Sequence, residues 1–383
     1  MNEYPEIAVP HVRDPGARRI PVVGLLPAGA RNAITDVAGI RVGHVTLADG
    51  PVQTGVTVIH PHGDDPYRNK VPAASAVING FGKSVGLIQL DELGQLETPI
   101  ALTNTFSVGA VAQAQIRQAL ARNPDIGRSL PTVNPLVLEC NDGFLNDIQK
   151  MHVSEADYRS ASDSAGHDLA QGAVGAGRGM SSFQMKGGIG TASREVSISS
   201  VRAGAGGMIE DVMHRYTVGA LVLSNYGLMP NLIWGGEIIG PRIMSLLEEE
   251  SRQAFTYVDH PEKGSIIMIL ATDAPLDARQ LRRLAGRAAA GLARTGSIYG
   301  HGSGDIAVAF STAYTVPHTA DRPMPPVTTL HETRIDALFQ AAADTVEQAI
   351  IHALWHAEPV TGRDGNHRPA LRDLLTRLDV RAA

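Results

Sequence analysis

The sequence predicts an α/β fold, and three neighbouring segments support that prediction. Residues 266–271 form an apolar run rich in isoleucine, which is typical of a strand buried on both faces. Residues 277–296 have the apolar spacing of a helix, and residues 305–311 are again typical of a strand. Two parallel strands joined by a helix begin at the same edge of a sheet. The polar residues at the start of these two strands are therefore expected to lie close together.

Composition indicates a folded, soluble protein. The chain has 383 residues, of which 43% are hydrophobic, enough for a sizeable core. Its formal charge of -6 has mixed signs and predicts no nucleic-acid partner. Cys140 is the one cysteine, which excludes an internal disulfide and a multi-cysteine zinc site. Neither a membrane-spanning apolar run nor a signal peptide is recognisable, so we expect a cytoplasmic protein.

Taken in order, the chain begins with an arm and continues as alternating strands and helices. Residues 1–31 lack periodicity and are expected to form an extended N-terminal arm, and residues 32–383 a single domain. Strands are predicted at 52–60, 73–80, 86–90, 99–103, 136–139, 196–202 and 218–223. Helices are predicted at 108–121, 154–170, 242–249 and 335–356.

The helix between the two strands described first has clear boundaries. Asp277 is a good N-cap residue, Leu281 and Leu284 begin the apolar stripe, and Gly296 is a good helix stop. The loop-rich stretch 228–263 before these strands is expected to contain an exposed connection that can be cut.

A chemical interpretation begins with Ser265, which follows Gly264 where loop becomes strand. If the Gly264–Ser265 bond is cut, the new α-amine of Ser265 can act as general base for its own hydroxyl. Ser303 can then relay a proton, Asp305 can bind the ammonium group, and Asn225 can donate its side-chain amide to an oxyanion. The structural alternatives are a turn serine, a strand-initiating aspartate and a turn asparagine.

Other catalytic or binding schemes are less well supported. No G-x-S-x-G motif is present for a Ser-His-Asp triad. The histidine pairs His352/His356 and His60/His62 lack the glutamate of H-E-x-x-H, so we expect solvated or capping histidines and no metal. The glycine-rich stretch Gly172–Arg194 matches neither phosphate-binding motif and favours tight backbone packing. Glu139 ends a predicted strand and either binds a substrate amine or belongs to a turn.

Several short motifs in a fixed order resemble the DmpA family of N-terminal-nucleophile aminopeptidases, peptidase family S58. This family includes L-aminopeptidase/D-amidase-esterases and β-peptidyl aminopeptidases. The resemblance covers about residues 32–315. Its motifs lie at 32–37, 41–44, 54–57, 102–105, 141–147, 174–177, 186–191, 264–267, 272–276, 292–297 and 302–305.

The resemblance implies an αββα sandwich and self-cleavage into an α chain, 1–264, and a β chain, 265–383. It implies Ser265 as nucleophile, Asn225 in the oxyanion hole, and Ser303 with Asp305 as assisting groups. Glu139 matches an acidic position that binds the free amino terminus of the substrate. No cofactor is implied, and the assembly would be a homo-oligomer, a tetramer of αβ units.

The chain departs from the family pattern at two positions. Family members often carry glutamate where this chain has Asp305. Some members also use a tyrosine near the active site, and at one plausible position this chain has Phe144.

Three functions remain open at this point. The first is an aminopeptidase or amidase that acts on small peptides, amides or esters through an acyl-enzyme. The second is a hydrolase of ω-amino-acid oligoamides of the 6-aminohexanoate type. Related proteins of that kind usually have a threonine nucleophile, so serine favours the first function. The third is a non-catalytic, uncleaved relative that binds small molecules.

Overall fold

The structure, a computed structural model, describes residues 20–203, 209–251, 263–321, 323–324 and 326–382. The strands of the described residues are, in chain order, β1 Arg41–Asp49, β2 Val52–His60, β3 Asn69–Gly80, β4 Gln95–Leu96, β5 Ile100–Asn104, β6 Leu136–Cys140, β7 Ser181–Ser182, β8 Met185–Lys186, β9 Gly188–Ala203, β10 Ile209–Asn225, β11 Ile233–Trp234, β12 Glu237–Ile238, β13 Lys263–Thr272, β14 Gly302–Ser311, β15 Val316–Pro317, β16 Val360–Thr361 and β17 His367–Arg368. The helices are α1 Leu87–Leu93, α2 Val108–Arg122, α3 Glu155–Asp163, α4 Gly240–Ser251, α5 Ala278–Gly286, α6 Ala288–Ala293, α7 Asp336–Trp355 and α8 Leu371–Ala382.

Two sheets form the centre of the molecule. The smaller sheet has four strands in the order β1-β2-β5-β6, and the larger has seven, with the path β15-β3-β14-β13-β10-β9 and β4 beside β3. β13 pairs with β10 in the antiparallel sense and with β14 in the parallel sense. It therefore lies in the middle of the larger sheet, with a hydrogen-bonded neighbour on each side.

The alternation of side chains along β13 explains how the layers are built. Ile267 and Ile269 belong to an apolar cluster that also contains residues of the smaller sheet, such as Leu102 and Leu138. The alternate residues of β13, among them Met268, belong to a second cluster with α5, α6 and α7. Successive side chains of a strand point to opposite faces, so one strand contributes to both clusters.

The outer face of the smaller sheet is covered by α2 and α3. Val56 and Val58 of β2 pack there with Val111 of α2 and Tyr158 of α3. The order of layers is thus α2 and α3, the smaller sheet, the larger sheet, then α5, α6 and α7. The predicted αββα sandwich is confirmed.

Most predicted elements are present, with corrections at their limits. The predicted strand at 86–90 is wrong: residues 87–93 form α1, bracketed by Gly86 at φ 96° and Gly94 at φ 65°. The predicted helix 154–170 ends at Asp163, and the helix after Asp277 is interrupted at Arg287. β1 and α8 were not predicted. Of the stretch 228–263, which is expected to contain an exposed connection, residues 252–262 lie outside the described residues, and the part before them contains β11, β12 and α4.

The described part of the N-terminal arm begins at residue 20, and residues 1–19 lie outside the description. Val23 N–H donates to Gln348 Oε1 of α7 at 2.9 Å, and Gln348 Nε2 donates to the Pro21 carbonyl at 2.9 Å. This stretch therefore lies against the outer helix layer. Among the described residues, no helix is long and apolar enough to cross a lipid bilayer.

Candidate active site

The start of β13 and β14 brings three predicted residues together. In the strand register Ser265 lies opposite Asn225 of β10 and opposite Gly304 of β14. Ser303 and Asp305 flank Gly304 in sequence, so they lie at the same edge, as the strand–helix–strand argument predicts. We call this edge the site end of the β13–β14 pair. All of these polar side chains are buried.

The Ser265 hydroxyl contacts only backbone groups among the described residues. Its Oγ donates to the carbonyl oxygen of Gly264 at 2.7 Å and accepts a hydrogen bond from the Gly304 N–H at 3.2 Å. Neither of these two hydrogen bonds involves a histidine. The hydroxyl thus lies directly on the peptide bond that the sequence analysis identifies as the cleavage site.

Two glycines are required for this close approach. A Cβ at Gly264 would lie 2.5 Å from the Asn225 carbonyl oxygen, and a Cβ at Gly304 would lie 2.7 Å from the Phe81 carbonyl oxygen. Real Cβ atoms do not approach backbone atoms so closely, so any side chain at either position would displace the strand. The glycine before Ser265 therefore has a packing reason in addition to its place at the cleavage site.

Ser303 and Asp305 form a buried hydroxyl–carboxylate pair. Ser303 Oγ donates to Asp305 Oδ1 at 2.5 Å, so the aspartate reaches the serine even though many relatives are expected to have the longer glutamate there. The Asp305 charge also acts on its surroundings: burial raises the pKa of the Tyr299 hydroxyl, and the nearby Asp305 carboxylate raises it further. Asp305 thus supplies negative charge close to Ser265.

Asn79 fixes the loop that leads into β14, and the sequence analysis did not identify it. Its Nδ2 donates to the Gly300 carbonyl at 2.9 Å and also to the carbonyls of His301 and Ser303. Asn79 lies opposite Asp305 in the β3–β14 pairing, where the register shifts between Asp305 and Ile306. This irregularity re-aims the site end of β14 relative to the rest of the sheet.

The Asn225 side chain has a defined orientation. Its Oδ1 accepts a hydrogen bond from the Ser181 N–H at 2.8 Å, and its Nδ2 donates to the Asn141 carbonyl at 3.1 Å. Because the backbone N–H of Ser181 can only donate, the amide oxygen of Asn225 must face it, and the NH₂ group faces the other way. Asn225 lies opposite Ser265 in the strand register, so this NH₂ group is a candidate donor to an oxyanion.

Glu139 lies at the end of β6, next to β14. Its Oε1 accepts a hydrogen bond from the Lys83 N–H at 2.8 Å, and its Oε2 accepts one from the Thr105 hydroxyl. A Cβ built on Gly82 would lie 3.6 Å from Glu139 Oε1 and 3.5 Å from the Ile306 side chain. Glu139 and Ile306, the residue that follows Asp305, therefore both border Gly82.

The carboxylates of Glu139 and Asp305 both lie near the buried thiol of Cys140. Burial raises the pKa of Cys140 well above its ordinary value, and the charges of Glu139 and Asp305 raise it further. A thiol in these surroundings remains protonated and unreactive at neutral pH. The acidic part of the site therefore contains two carboxylates and no competing nucleophile.

Lys186 explains the glycine-rich stretch before β9. Its ammonium group is fully buried and donates to the carbonyls of Gly177, Met180 and Gly187 at 2.9, 2.6 and 2.7 Å. Burial lowers its pKa well below the ordinary value. The prediction of tight backbone packing is thus confirmed, and the amine is not available to a phosphate. The turn that Lys186 ties together leads directly to Ser181, the partner of Asn225.

Phe144 occupies the position at which a family tyrosine was considered. It follows the Asn141 turn, and the Arg368 guanidinium carbon lies 3.5 Å from its ring centroid. The sequence analysis did not identify Arg368. No local motif marks it, because its contacts come from chain segments far away in sequence.

The prediction of solvated or capping histidines is wrong for His352 and His60, which are buried and hydrogen-bonded within the fold. His352 Nδ1 hydrogen-bonds the Thr191 carbonyl at 2.6 Å, and burial lowers its pKa to about 4. His60 Nε2 hydrogen-bonds the Ser162 hydroxyl at 3.0 Å, and His62 Nε2 the Asn69 carbonyl at 2.7 Å. Within the ranges that the structure describes, no three His, Cys, Asp or Glu side chains form a group able to hold a metal ion.

Comparison with known proteins connects this geometry to a family. The sequence model of peptidase family S58 matches residues 32–368. The chain belongs to peptidase family S58. The prediction of the family, made from the order of its motifs, is therefore confirmed, and the chain is an enzyme of this family.

The similarity to individual relatives extends over almost the whole of this chain. It is 38% identical to the beta-peptidyl aminopeptidase BapA of Sphingosinicella microcystinivorans, over 93% of this chain and 88% of that protein. The Burkholderia sp. beta-aminopeptidase is 40% identical, with a TM-score of 0.79 over 94% of this chain and 96% of that one. The L-aminopeptidase D-Ala-esterase/amidase of Ochrobactrum anthropi, described as a variant of the Ntn hydrolase fold, is 32% identical, with a TM-score of 0.81 over 94% and 97% of the two chains.

Proposed function

We propose that this protein is a self-processing serine aminopeptidase and amidase with Ser265 as its nucleophile. It would release N-terminal residues from small peptides, amides or esters. The observation that best supports the proposal is the hydrogen bond from Ser265 Oγ to the Gly264 carbonyl, in a site that also contains Asn225, Ser303, Asp305 and Glu139. Asn225 lies opposite Ser265 in the strand register, and Ser303 and Asp305 flank its other partner, Gly304, so three buried polar residues share this sheet edge with the serine.

Maturation begins with attack of Ser265 Oγ on the Gly264 carbonyl carbon. The Gly264–Ser265 C–N bond breaks, the Ser265 nitrogen takes up the hydroxyl proton, and an ester joins Gly264 to Oγ. Water then hydrolyses the ester, which leaves a carboxylate on Gly264 and a free α-amine on Ser265. Asn225 Nδ2 is suited to stabilise the oxyanion of each tetrahedral intermediate.

Catalysis uses the new amine as general base. An unperturbed α-amine has a pKa of about 7.7–8, close enough to neutrality to accept the Ser265 proton. Ser303, bonded to Asp305, is placed to orient that amine. Glu139 binds the ammonium group of the substrate, and the acyl group is transferred to Oγ before water releases it. Because both steps use the same oxyanion donor, loss of Asn225 would slow both.

Residues with a β-amino group are the favoured substrates, because the relatives at 38% and 40% identity are named beta-peptidyl aminopeptidase and beta-aminopeptidase. The ω-amino-acid oligoamide hydrolase remains the second candidate, and serine rather than threonine at position 265 argues against it. An uncleaved small-molecule-binding protein is the third candidate. We further propose that the working form is cytoplasmic and a homo-oligomer, a tetramer of αβ units.

A denaturing gel with N-terminal sequencing separates enzyme from binder. Cleavage predicts two chains of roughly 28 and 13 kDa from a 40.5 kDa precursor, and the smaller should begin Ser-Ile-Ile-Met. A panel of α-, β- and ω-aminoacyl p-nitroanilides then separates the substrate classes. One full-length species without activity on any member of the panel would favour the binding protein.

A further inference from the structure

Arg368 lies in the last short strand, yet it is part of the candidate active site. Asn366 Nδ2 donates to the Phe144 carbonyl at 2.8 Å, and the Pro369 carbonyl accepts the Lys186 N–H at 2.9 Å. These two contacts fix the chain on each side of Arg368 against the turns that orient Asn225. The position of Arg368 is therefore set by the site, although it is far from Ser265 in sequence.

The Arg368 guanidinium is half-buried, and only part of its hydrogen-bonding capacity is satisfied by the described residues. Its carbon lies 3.5 Å from the Phe144 ring centroid, and its Nε donates to Ser181 Oγ at 3.1 Å. Among the described residues, the two terminal nitrogens have no hydrogen-bond partner and no carboxylate. Burial alone lowers the pKa of Arg368 to about 10. This value still leaves the group fully charged at neutral pH.

A desolvated cation without a counter-charge costs free energy unless a ligand supplies one. A guanidinium stacked on an aromatic ring presents its edge, and that edge matches a planar carboxylate through two parallel hydrogen bonds. Nε is already bonded to Ser181, so the free edge is the one formed by the two terminal nitrogens. The chemistry that fits this edge is a carboxylate.

The position of Arg368 relative to the site end indicates which part of a substrate would carry this carboxylate. The Ser181 N–H donates to Asn225 Oδ1, and Asn225 lies opposite Ser265, so Arg368 is two hydrogen bonds from the side chain beside the nucleophile. Burial lowers the pKa of Lys186, and the charges of Arg178 and Arg368 lower it further, so Lys186 supplies no counter-charge to Arg368. Glu139 supplies negative charge elsewhere in the site. The site therefore has a cationic part and an anionic part.

We propose that Arg368 binds the free C-terminal carboxylate of the substrate, so that the preferred substrates are zwitterionic short peptides rather than amides or long chains. This inference rests on the proposed function, in which Glu139 binds the amino end of the same molecule. A short peptide with both termini charged satisfies both groups at once.

The test compares a β-alanyl dipeptide with its C-terminal amide in the same enzyme preparation. The ratio of kcat/KM for the acid to kcat/KM for the amide does not depend on how much protein has matured. We expect a ratio of about 10 to 100 in the unaltered protein, as for loss of a charge-assisted pair, and a ratio near 1 in Arg368→Met. Arg368→Lys should give an intermediate ratio, because it retains charge without the paired edge.

Arg178 provides a matched control. It is also half-buried, and its Nε donates to the Gln53 side chain at 2.6 Å. Burial also lowers its pKa, although the charge of Glu358 opposes that effect. Arg178→Met should leave the acid-to-amide ratio unchanged. If it abolishes the preference as fully as Arg368→Met, the assignment to Arg368 is overturned.

A measurement on the unaltered protein guards against variants that do not fold. A free amino acid with a carboxylate should inhibit hydrolysis of an aminoacyl p-nitroanilide at a concentration about tenfold lower than its amide does. Equal inhibition by the acid and the amide, or an acid-to-amide ratio near 1 in the unaltered protein, overturns the carboxylate proposal. The same results are expected if the new Gly264 carboxylate, and not a substrate, binds Arg368. Failure of every substrate, the p-nitroanilides included, would instead overturn the proposed function.

Discussion

The far end of the β13–β14 pair has the same kinds of side chain as the site end: hydroxyls and an aspartate. There, Thr272 Oγ1 accepts a hydrogen bond from the Ala274 N–H at 3.1 Å, and Ser311 Oγ donates to the Ala274 carbonyl at 2.6 Å. Asp273 Oδ1 accepts a hydrogen bond from the Thr217 N–H at 2.7 Å. Each of these side chains bonds to backbone: Thr272 and Ser311 hold the turn at Ala274, and Asp273 holds the neighbouring strand β10.

At the site end the hydroxyls are used differently. Ser303 donates to a carboxylate, and Ser265 Oγ lies on a peptide carbonyl and accepts only a 3.2 Å contact from Gly304. A hydroxyl whose bond closes a turn is costly to displace, whereas one bonded to another ionisable side chain can exchange a proton. Residue type alone therefore does not distinguish the two ends. Ser303 differs from the far-end hydroxyls in its carboxylate partner, whereas Ser265, which also bonds to backbone, differs in lying on the peptide bond that precedes it.

The largest difference between the two ends is expected for their serines. Ser265→Ala should remain one chain and lose activity by about 10⁴-fold or more, because the nucleophile is absent. Ser311→Ala should mature normally, with activity within about twofold, and should lose about 1 kcal/mol of unfolding free energy with its hydrogen bond. A denaturing gel, steady-state kinetics and urea unfolding measure these effects. Activity in a pure Ser265→Ala protein would exclude the proposed nucleophile.

The two aspartates should differ next. Asp305→Asn removes the charge that binds Ser303 and the new amine, and we expect kcat to fall by about 10²- to 10³-fold. Asp273→Asn keeps the oxygen that accepts the Thr217 N–H, so its kcat should change by no more than about threefold. Single-turnover kinetics on fully cleaved protein give kcat without the effect of slow maturation. Equal losses in the two variants would remove the distinction between the ends.

The smallest expected effect concerns stability and pH. Burial raises the pKa of Asp142, beside the Asn225 partner Asn141, from 3.8 to about 6. A carboxyl with a raised pKa stabilises the fold in its protonated form. That contribution is complete below the unfolded pKa and is lost as pH rises through about 6. We expect a loss of about 3 kcal/mol between pH 3.5 and pH 7, relative to Asp142→Asn.

Urea unfolding of both proteins across this range measures the difference. Asp273→Asn is the control at the far end. Burial also raises the pKa of Asp273, but that carboxyl is less buried than Asp142, so its effect on the pH dependence of stability should be smaller. Parallel stability curves for the unaltered protein and Asp142→Asn would contradict the prediction.

The sequence allowed the strand–helix–strand unit and the meeting of Ser265 with Ser303 to be predicted, because both depend on local periodicity and on the geometry of a parallel pair. β2 was predicted at its observed limits, since six of its nine residues are β-branched. The short run 86–90 was assigned to a strand because five apolar-rich residues fit either periodicity. Gly86 and Gly94, both at positive φ, decide for a helix.

Other residues could not be predicted because their roles depend on contacts between distant segments. Arg368 bonds to Ser181, which is 187 positions away, and Asn79 bonds to carbonyls more than 220 positions away. Lys186 lay in a stretch correctly assigned to tight packing, but its three carbonyl partners become neighbours only when that stretch folds into a turn. No periodicity in the chain contains this information.

A strand with neighbours on both sides has no edge from which to separate. β13 is paired with β14 from Lys263 to Thr272 and with β10 from Ser265 to Thr272. Scission before Ser265 would therefore create two polypeptides that remain one folded body, because the ladder bonds on either side of the break persist. The new terminus would be as rigid as a sheet interior, whereas most chain ends are mobile. Its amine would then be fixed in direction from the moment it is formed.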